Sequence, residues 1–140
     1  MARRSLVVVA VLLFVAAGTL GAAPDPKADI EGVYKCEGAN PDGSPYKGVV
    51  EIVSEGDVVL VKWEFDGTAM VGVGILRDEM LSVSYFIGAP ALAVYKIEKN
   101  ADGKGIMLQG TWTIAGAGDH LFSETLTKIH GRIDAVRYKV

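Results

Sequence analysis

At 140 residues, half of them hydrophobic and 22% charged, the chain has the length of one domain and the composition of a folded one, which excludes wholesale disorder. A formal net charge of -3 leaves no excess of basic residues for a general nucleic-acid binder. Its single cysteine, Cys36, excludes an internal disulfide, so the fold stands on its core, where the thiol itself is expected to be buried.

Residues 1–23, MARRSLVVVAVLLFVAAGTLGAA, combine a basic start at Arg3 and Arg4, an apolar stretch from Leu6 to Val15 and a small-residue end, the pattern of a secretory signal peptide. The apolar run through Ala17 is short for a membrane span, and no cysteine follows it to carry a lipid anchor. The expectation is an exported protein, secreted or periplasmic, with no membrane attachment after cleavage. Loss of Arg3 and Arg4 takes the formal charge from -3 to -5. Residues 24–31 read as a linker bearing Pro and charge.

From Gly32 onward, short runs rich in Val, Ile, Tyr and Trp alternate with turn residues: GVYKCEG (32–38), YKGVVEIV (46–53), VVLVKWEF (58–65), AMVGVGIL (69–76), MLSVSYFI (80–87), ALAVYKIEK (91–99), GIMLQGTWTI (105–114) and LFSETLTKI (121–129). These are eight candidate strands with no helical period of useful length. Connectors such as SEGD, DGT, RDE, GAP and NADGK are hairpin loops, too short for parallel crossovers. The sequence therefore predicts an all-β domain over 32–129, an eight-stranded antiparallel meander whose economical way of removing both sheet edges is closure into an up-and-down barrel. The remainder, 130–140, alternates apolar and charged residues and reads as a tail or an additional edge strand.

Register follows from keeping apolar faces together, because a slip of one residue exchanges the two faces of a strand. Val59, Val61, Trp63 and Phe65 share one face with Val50 and Ile52. A three-residue loop Asp66-Gly67-Thr68 then sets Trp63, Val61 and Val59 beside Val71, Val73 and Ile75, and a second at 77–79 sets those beside Tyr85, Val83 and Leu81. On that register Gly72, Gly74, Ser82 and Ser84 form a smooth patch on the outside. Pairing Ile97 with Ile106 places Tyr95 beside Leu108 and small residues opposite large ones, as a tapering interior needs.

Little conventional chemistry is visible. His120 and His130 have no second ligand at metal-binding spacing, no Gly-rich phosphate loop precedes a helix, and no nucleophile motif has a base partner. The loops NADGKG (100–105) and NPDGSP (40–45) read as turn chemistry rather than cation ligands. No metal or cofactor is implied. One residue stands out: Glu124 in LFSETL shares a face with Phe122 and Leu126, although Leu121, Thr125 and Ile129 offer a rival inner face. A carboxylate inside a barrel marks either a hydrogen-bonded structural acid or a site. With Glu124, the aromatics Tyr34, Trp63, Phe65, Tyr85, Tyr95 and Trp112 are the candidate ligand-binding residues, lining a small-molecule cavity or simply filling the barrel.

The ordered series GVYKCEG, YKGVVEI, VKWEFDG, GVGI, LSVSY, VYKIEKNADGK, GTW and SETL is similar to a family of small exported bacterial proteins of calycin-like, avidin- or lipocalin-type shape. Some members carry the label fibronectin-binding protein. The resemblance spans nearly all of residues 32–128 and implies a calycin-like barrel that binds something, without assigning a role to any residue. Residues and resemblance together give an exported, non-catalytic binding protein, its partner a small apolar ligand inside the barrel or an extracellular protein on its surface. The alternatives are an enzyme using a barrel-interior Glu/Tyr acid-base pair and a ligand-free structural envelope protein.

Overall fold

The computed structural model describes residues 30–130. The expected leader at 1–23, nearly all of the linker and the residues after 130 lie outside the described residues. The described residues form eight strands: β1 (Gly32–Ala39), β2 (Pro45–Glu55), β3 (Val58–Phe65), β4 (Thr68–Arg77), β5 (Met80–Phe86), β6 (Pro90–Lys99), β7 (Ile106–Ile114) and β8 (Phe122–His130). Each pairs antiparallel with the next, and β8 returns to β1, closing the barrel in strict chain order. The eight runs of the sequence match the eight strands to within two residues at each end.

An antiparallel meander puts its connections alternately at two ends. The upper end carries the loops 40–44, 66–67, 87–89 and 115–121; the lower end carries 56–57, 78–79 and 100–105 and receives the chain entering β1. Ile30, just before β1, is fully buried and belongs to the same core as Ile52, Val59, Leu76, Leu81 and Leu108. That end is aliphatic apart from Tyr34, and Ile97 and Ile106 there are partly buried. Tyr46, Phe65, Met70, Tyr85 and Trp112, all at or towards the upper end, are only partly buried. A dozen large side chains are fully buried, each contributing about 2 kcal/mol, in a barrel that has no disulfide.

The loops around β4 are two residues long, not three. Phe65 pairs with Thr68 across Asp66-Gly67, whose φ angles of 45° and 80° suit the mirror-image turns that match strand twist. Arg77 likewise pairs with Met80 across Asp78 and Glu79, at φ 47° and 64°. Each one-residue difference exchanges faces, so the two together leave β3 and β5 as expected and turn β4 over. Met70, Gly72, Gly74 and Leu76 face inward opposite Trp63, Val61, Val59 and Leu81, while Val71, Val73 and Ile75 face solvent at 59%, 53% and 54% exposure. The expected outer patch is therefore half right: Ser82 and Ser84 are outside, and Gly72 and Gly74 are not.

The physical reason is room. A Cβ at Gly72 would stand 2.6 Å from Val83 and 2.9 Å from the Trp63 ring, so the inner wall at β4 is the floor on which β3 and β5 side chains lie. Filling the interior with apolar residues from every strand would overpack it. Other registers move by two residues, which keeps the faces: Glu55 pairs with Val58, and Lys99 with Ile106, setting Tyr95 opposite Gly110 rather than Leu108.

Candidate functional site

Glu124 points into the barrel and is 5% exposed, the one polar or charged residue buried among the described residues. The rival face of β8 is the outer one, with Leu121 and Ile129 at 69% and 49% exposure. Pairing fixes what surrounds the carboxylate. Glu124 lies between Gly38 on β1 and Gly110 on β7; Gly38 pairs on its other side with Tyr46, and Gly110 with Tyr95. Across five neighbouring strands this gives the row Tyr46, Gly38, Glu124, Gly110, Tyr95.

The glycines make the row work. Each phenol lies flat over the glycine beside it and crosses one strand to the carboxylate; a Cβ at Gly38 would meet the Tyr46 ring at 2.2 Å, and one at Gly110 the Tyr95 ring at 2.3 Å. The Tyr46 hydroxyl donates to Glu124 Oε2 at 2.6 Å, and the Tyr95 hydroxyl to Oε1 at 2.5 Å. From β3, the indole Nε1 of Trp63 also donates to Oε1, at 3.0 Å. The Cys36 thiol is hydrogen-bonded to the same carboxyl group. Two phenols and an indole supply donors without supplying positive charge, a set that suits an acceptor-only carboxylate.

The electrostatic consequence falls on the neighbours. Burial first, then the negative charge of Glu124, holds the hydroxyls of Tyr46, Tyr85 and Tyr95 well above the ordinary phenol range. Burial pushes the Cys36 thiol far up, and Glu124 adds to the shift. These groups are hydrogen-bond donors and not ready acids.

Above this layer, aromatic pairs ring the upper end. Tyr46 meets Phe65 edge to face with centroids 5.3 Å apart, Trp63 meets Tyr85 at 5.1 Å, and Trp112 meets Phe122 at 4.8 Å. The Trp112 Nε1 hydrogen is buried without a hydrogen-bond partner.

Trp63, Phe65, Tyr85, Tyr95, Trp112 and Glu124 thus all belong to the inner face from the carboxylate layer upward, as expected of them. Tyr34 belongs to the barrel interior but not to this group: it is fully buried, and its hydroxyl donates to the Ile30 carbonyl at 2.5 Å, tying down the chain at the lower end. Tyr46 and Cys36 are members of the site that the sequence reading did not name for it. Tyr46 was within reach, since it stands an even number of residues before Val50 and Ile52 and so shares their inner face.

Among the described residues no cluster of His, Cys, Asp and Glu has the makings of a metal site. No protein-family model matches the chain, and no curated protein matches it in sequence. Solved structures do. A redesigned beta barrel is similar over 74% of this chain and 95% of its own, with a TM-score of 0.50 at 14% identity. The redesigned barrel mFAP1 bound to DFHBI is similar over 74% of this chain and 97% of its own, with a TM-score of 0.45 at 13% identity. EF1p2_mFAP2b bound to DFHBI follows, with 71% and 93% covered, a TM-score of 0.43 and 14% identity. At such identities the likeness is one of fold alone: this chain is a closed eight-stranded antiparallel β-barrel.

Proposed function

We propose that the protein is an exported, non-catalytic binding protein that takes a small, largely apolar ligand at the upper end of its barrel. The observation that carries this reading is the asymmetry of the interior: a mainly aliphatic lower end stopped by Ile30, and an upper end where half-buried aromatic rings stand above a buried carboxylate. Ligand sites are of this composition, apolar and aromatic walls with a few fixed polar groups. Both Glu124 oxygens already accept hydrogen bonds from neutral hydroxyl and indole donors, an arrangement that supports binding rather than catalysis. Export rests on the leader-like sequence of residues 1–23.

The test is native mass spectrometry of freshly purified protein together with tryptophan fluorescence, read through Trp63 and Trp112, against a panel of small aromatic compounds. A co-purified or added compound that perturbs the fluorescence and raises the unfolding temperature is the expected result. A barrel that no member of the panel perturbs counts against it.

A second reading, a protein partner of the fibronectin type on the outer surface, draws on the outward turn of β4. Val53, Leu60, Val73 and Leu92 lie in one cross-strand line interrupted only by Ser84, flanked by the exposed Val71 and Ile75. Pull-down with immobilised fibronectin, compared with a Val73→Lys variant, tests it.

A further inference from the structure

The carboxylate at the floor of the aromatic end has a sign, and that sign bears on what the end can hold. Glu124 is satisfied as a hydrogen-bond acceptor by Tyr46, Tyr95 and Trp63, yet none of these three neutralises it. Neutral dipoles replace the water a buried carboxylate has lost; they leave its net charge to act through a medium of low dielectric.

We infer that the ligand is a small organic cation, an ammonium or amidinium group on an apolar body, with Glu124 as its counter-charge. The inference rests on the reading of the upper end as a small-molecule site and adds the ligand's charge. Three further observations support it. The rings around the end, Tyr46, Phe65, Trp63 and Tyr85, offer π faces, which attract cations and not anions. The upper loops at 40–44, 66–67, 87–89 and 115–121 contain Asp42, Asp66 and Asp119 and no Lys or Arg. An anionic ligand would approach through three aspartates towards a fourth carboxylate; a cation is drawn the same way.

The geometry also points to the oxygen that receives the cation. Oε1 is shared by Trp63 and Tyr95, both 1% exposed, whereas Oε2 accepts from Tyr46, the half-buried member of the set. Tyr46 is the donor that gives way, and the ligand's N–H takes its place on Oε2.

Isothermal titration at neutral pH with three probes of one shape tests this: phenethylammonium, 2-phenylethanol and phenylacetate. The wild-type protein is expected to bind the ammonium at least tenfold more tightly than the alcohol and to bind phenylacetate weakest. Glu124→Gln, which keeps an acceptor for Trp63 and Tyr95, should lose at least tenfold for the ammonium and a smaller factor for the alcohol. Tyr46→Phe, which removes the hydroxyl donor from Oε2, should tighten the ammonium and do so by a larger factor than it tightens the alcohol, a gain that a merely structural Tyr46 would not give. Should Glu124→Gln fail to fold, Tyr46→Phe decides alone, and an ammonium affinity that is unchanged or lower overturns the inference. Alcohol or phenylacetate binding as tightly as the ammonium also overturns it while the small-molecule reading stands. If none of the three probes binds, both fall together.

Discussion

Tyr46 and Tyr95 reach one carboxylate from opposite sides, each from two strands away and each across a glycine. The arrangement is nearly symmetric in register but not in burial, because Tyr95 is 1% exposed and Tyr46 stands at the open end.

That asymmetry separates two otherwise identical substitutions. In Gly110→Ala the new Cβ meets the Tyr95 ring at 2.3 Å and the Glu124 backbone oxygen at 3.2 Å, with nowhere for a fully buried ring to go. Overpacking plus a disrupted charged hydrogen bond should cost about 3 kcal/mol or more. In Gly38→Ala the new Cβ meets only the far end of the Tyr46 side chain, which can swing towards solvent, so the loss should be about 1–2 kcal/mol. Urea denaturation of both variants checks the order, and a Gly38→Ala variant as damaged as Gly110→Ala would contradict it.

Alkali should destabilise the barrel. Tyr34, Tyr46, Tyr85 and Tyr95 have folded-state pKa values above the ordinary 10.0, raised by burial in every case and by Glu124 in the last three, and Cys36 is raised from 9.0 by the same two causes. Above these ordinary values the unfolded chain loses protons that the folded one keeps. The stabilisation held by the protonated groups is therefore full below about pH 9 and declines as pH rises beyond it. Absorbance at 295 nm should show these four of the five tyrosines ionising only in step with unfolding followed by circular dichroism.

Cys36 should behave as an inert thiol. It is fully buried and its pKa is pushed far up, so the thiolate that reacts is scarce and out of reach. Labelling by a disulfide reagent at pH 8 should proceed only at the rate of global opening and become immediate in denaturant.

The turn between β4 and β5 carries strain that one substitution removes. Asp78 and Glu79 both adopt the left-handed conformation, at φ 47° and 64°, without a glycine between them. Asp tolerates this region better than Glu. Glu79→Gly should raise stability by about 1 kcal/mol, since its backbone carbonyl still accepts from Ile97 N–H. A lower unfolding temperature for this variant would argue against strain at Glu79.

Much of this architecture is legible in the sequence because it follows from alternation and turn length. Val59, Val61, Trp63 and Phe65 declare one inner face, and short connectors leave no option but antiparallel neighbours. The turning over of β4 is not legible in apolar alternation, which points Val71, Val73 and Ile75 inward. Asp-Gly between two strands is the stronger signal, and it sends Gly72 and Gly74 inside. Glu124 was legible through Phe122 and Leu126. Its partners were not, since Tyr46 is 78 positions away and meets it only because β8 closes onto β1.

Closure of β8 onto β1 also limits how another macromolecule can engage this protein. Every strand has its two hydrogen-bonding sides taken by neighbours, so an incoming extended peptide finds no row of free N–H and C=O groups to zip onto. Recognition by strand addition is closed to the barrel of the described residues. Any polypeptide it holds has to be gripped by side chains, on the outer wall or at the loops of one end, and such a complex should tolerate main-chain N-methylation of the bound peptide.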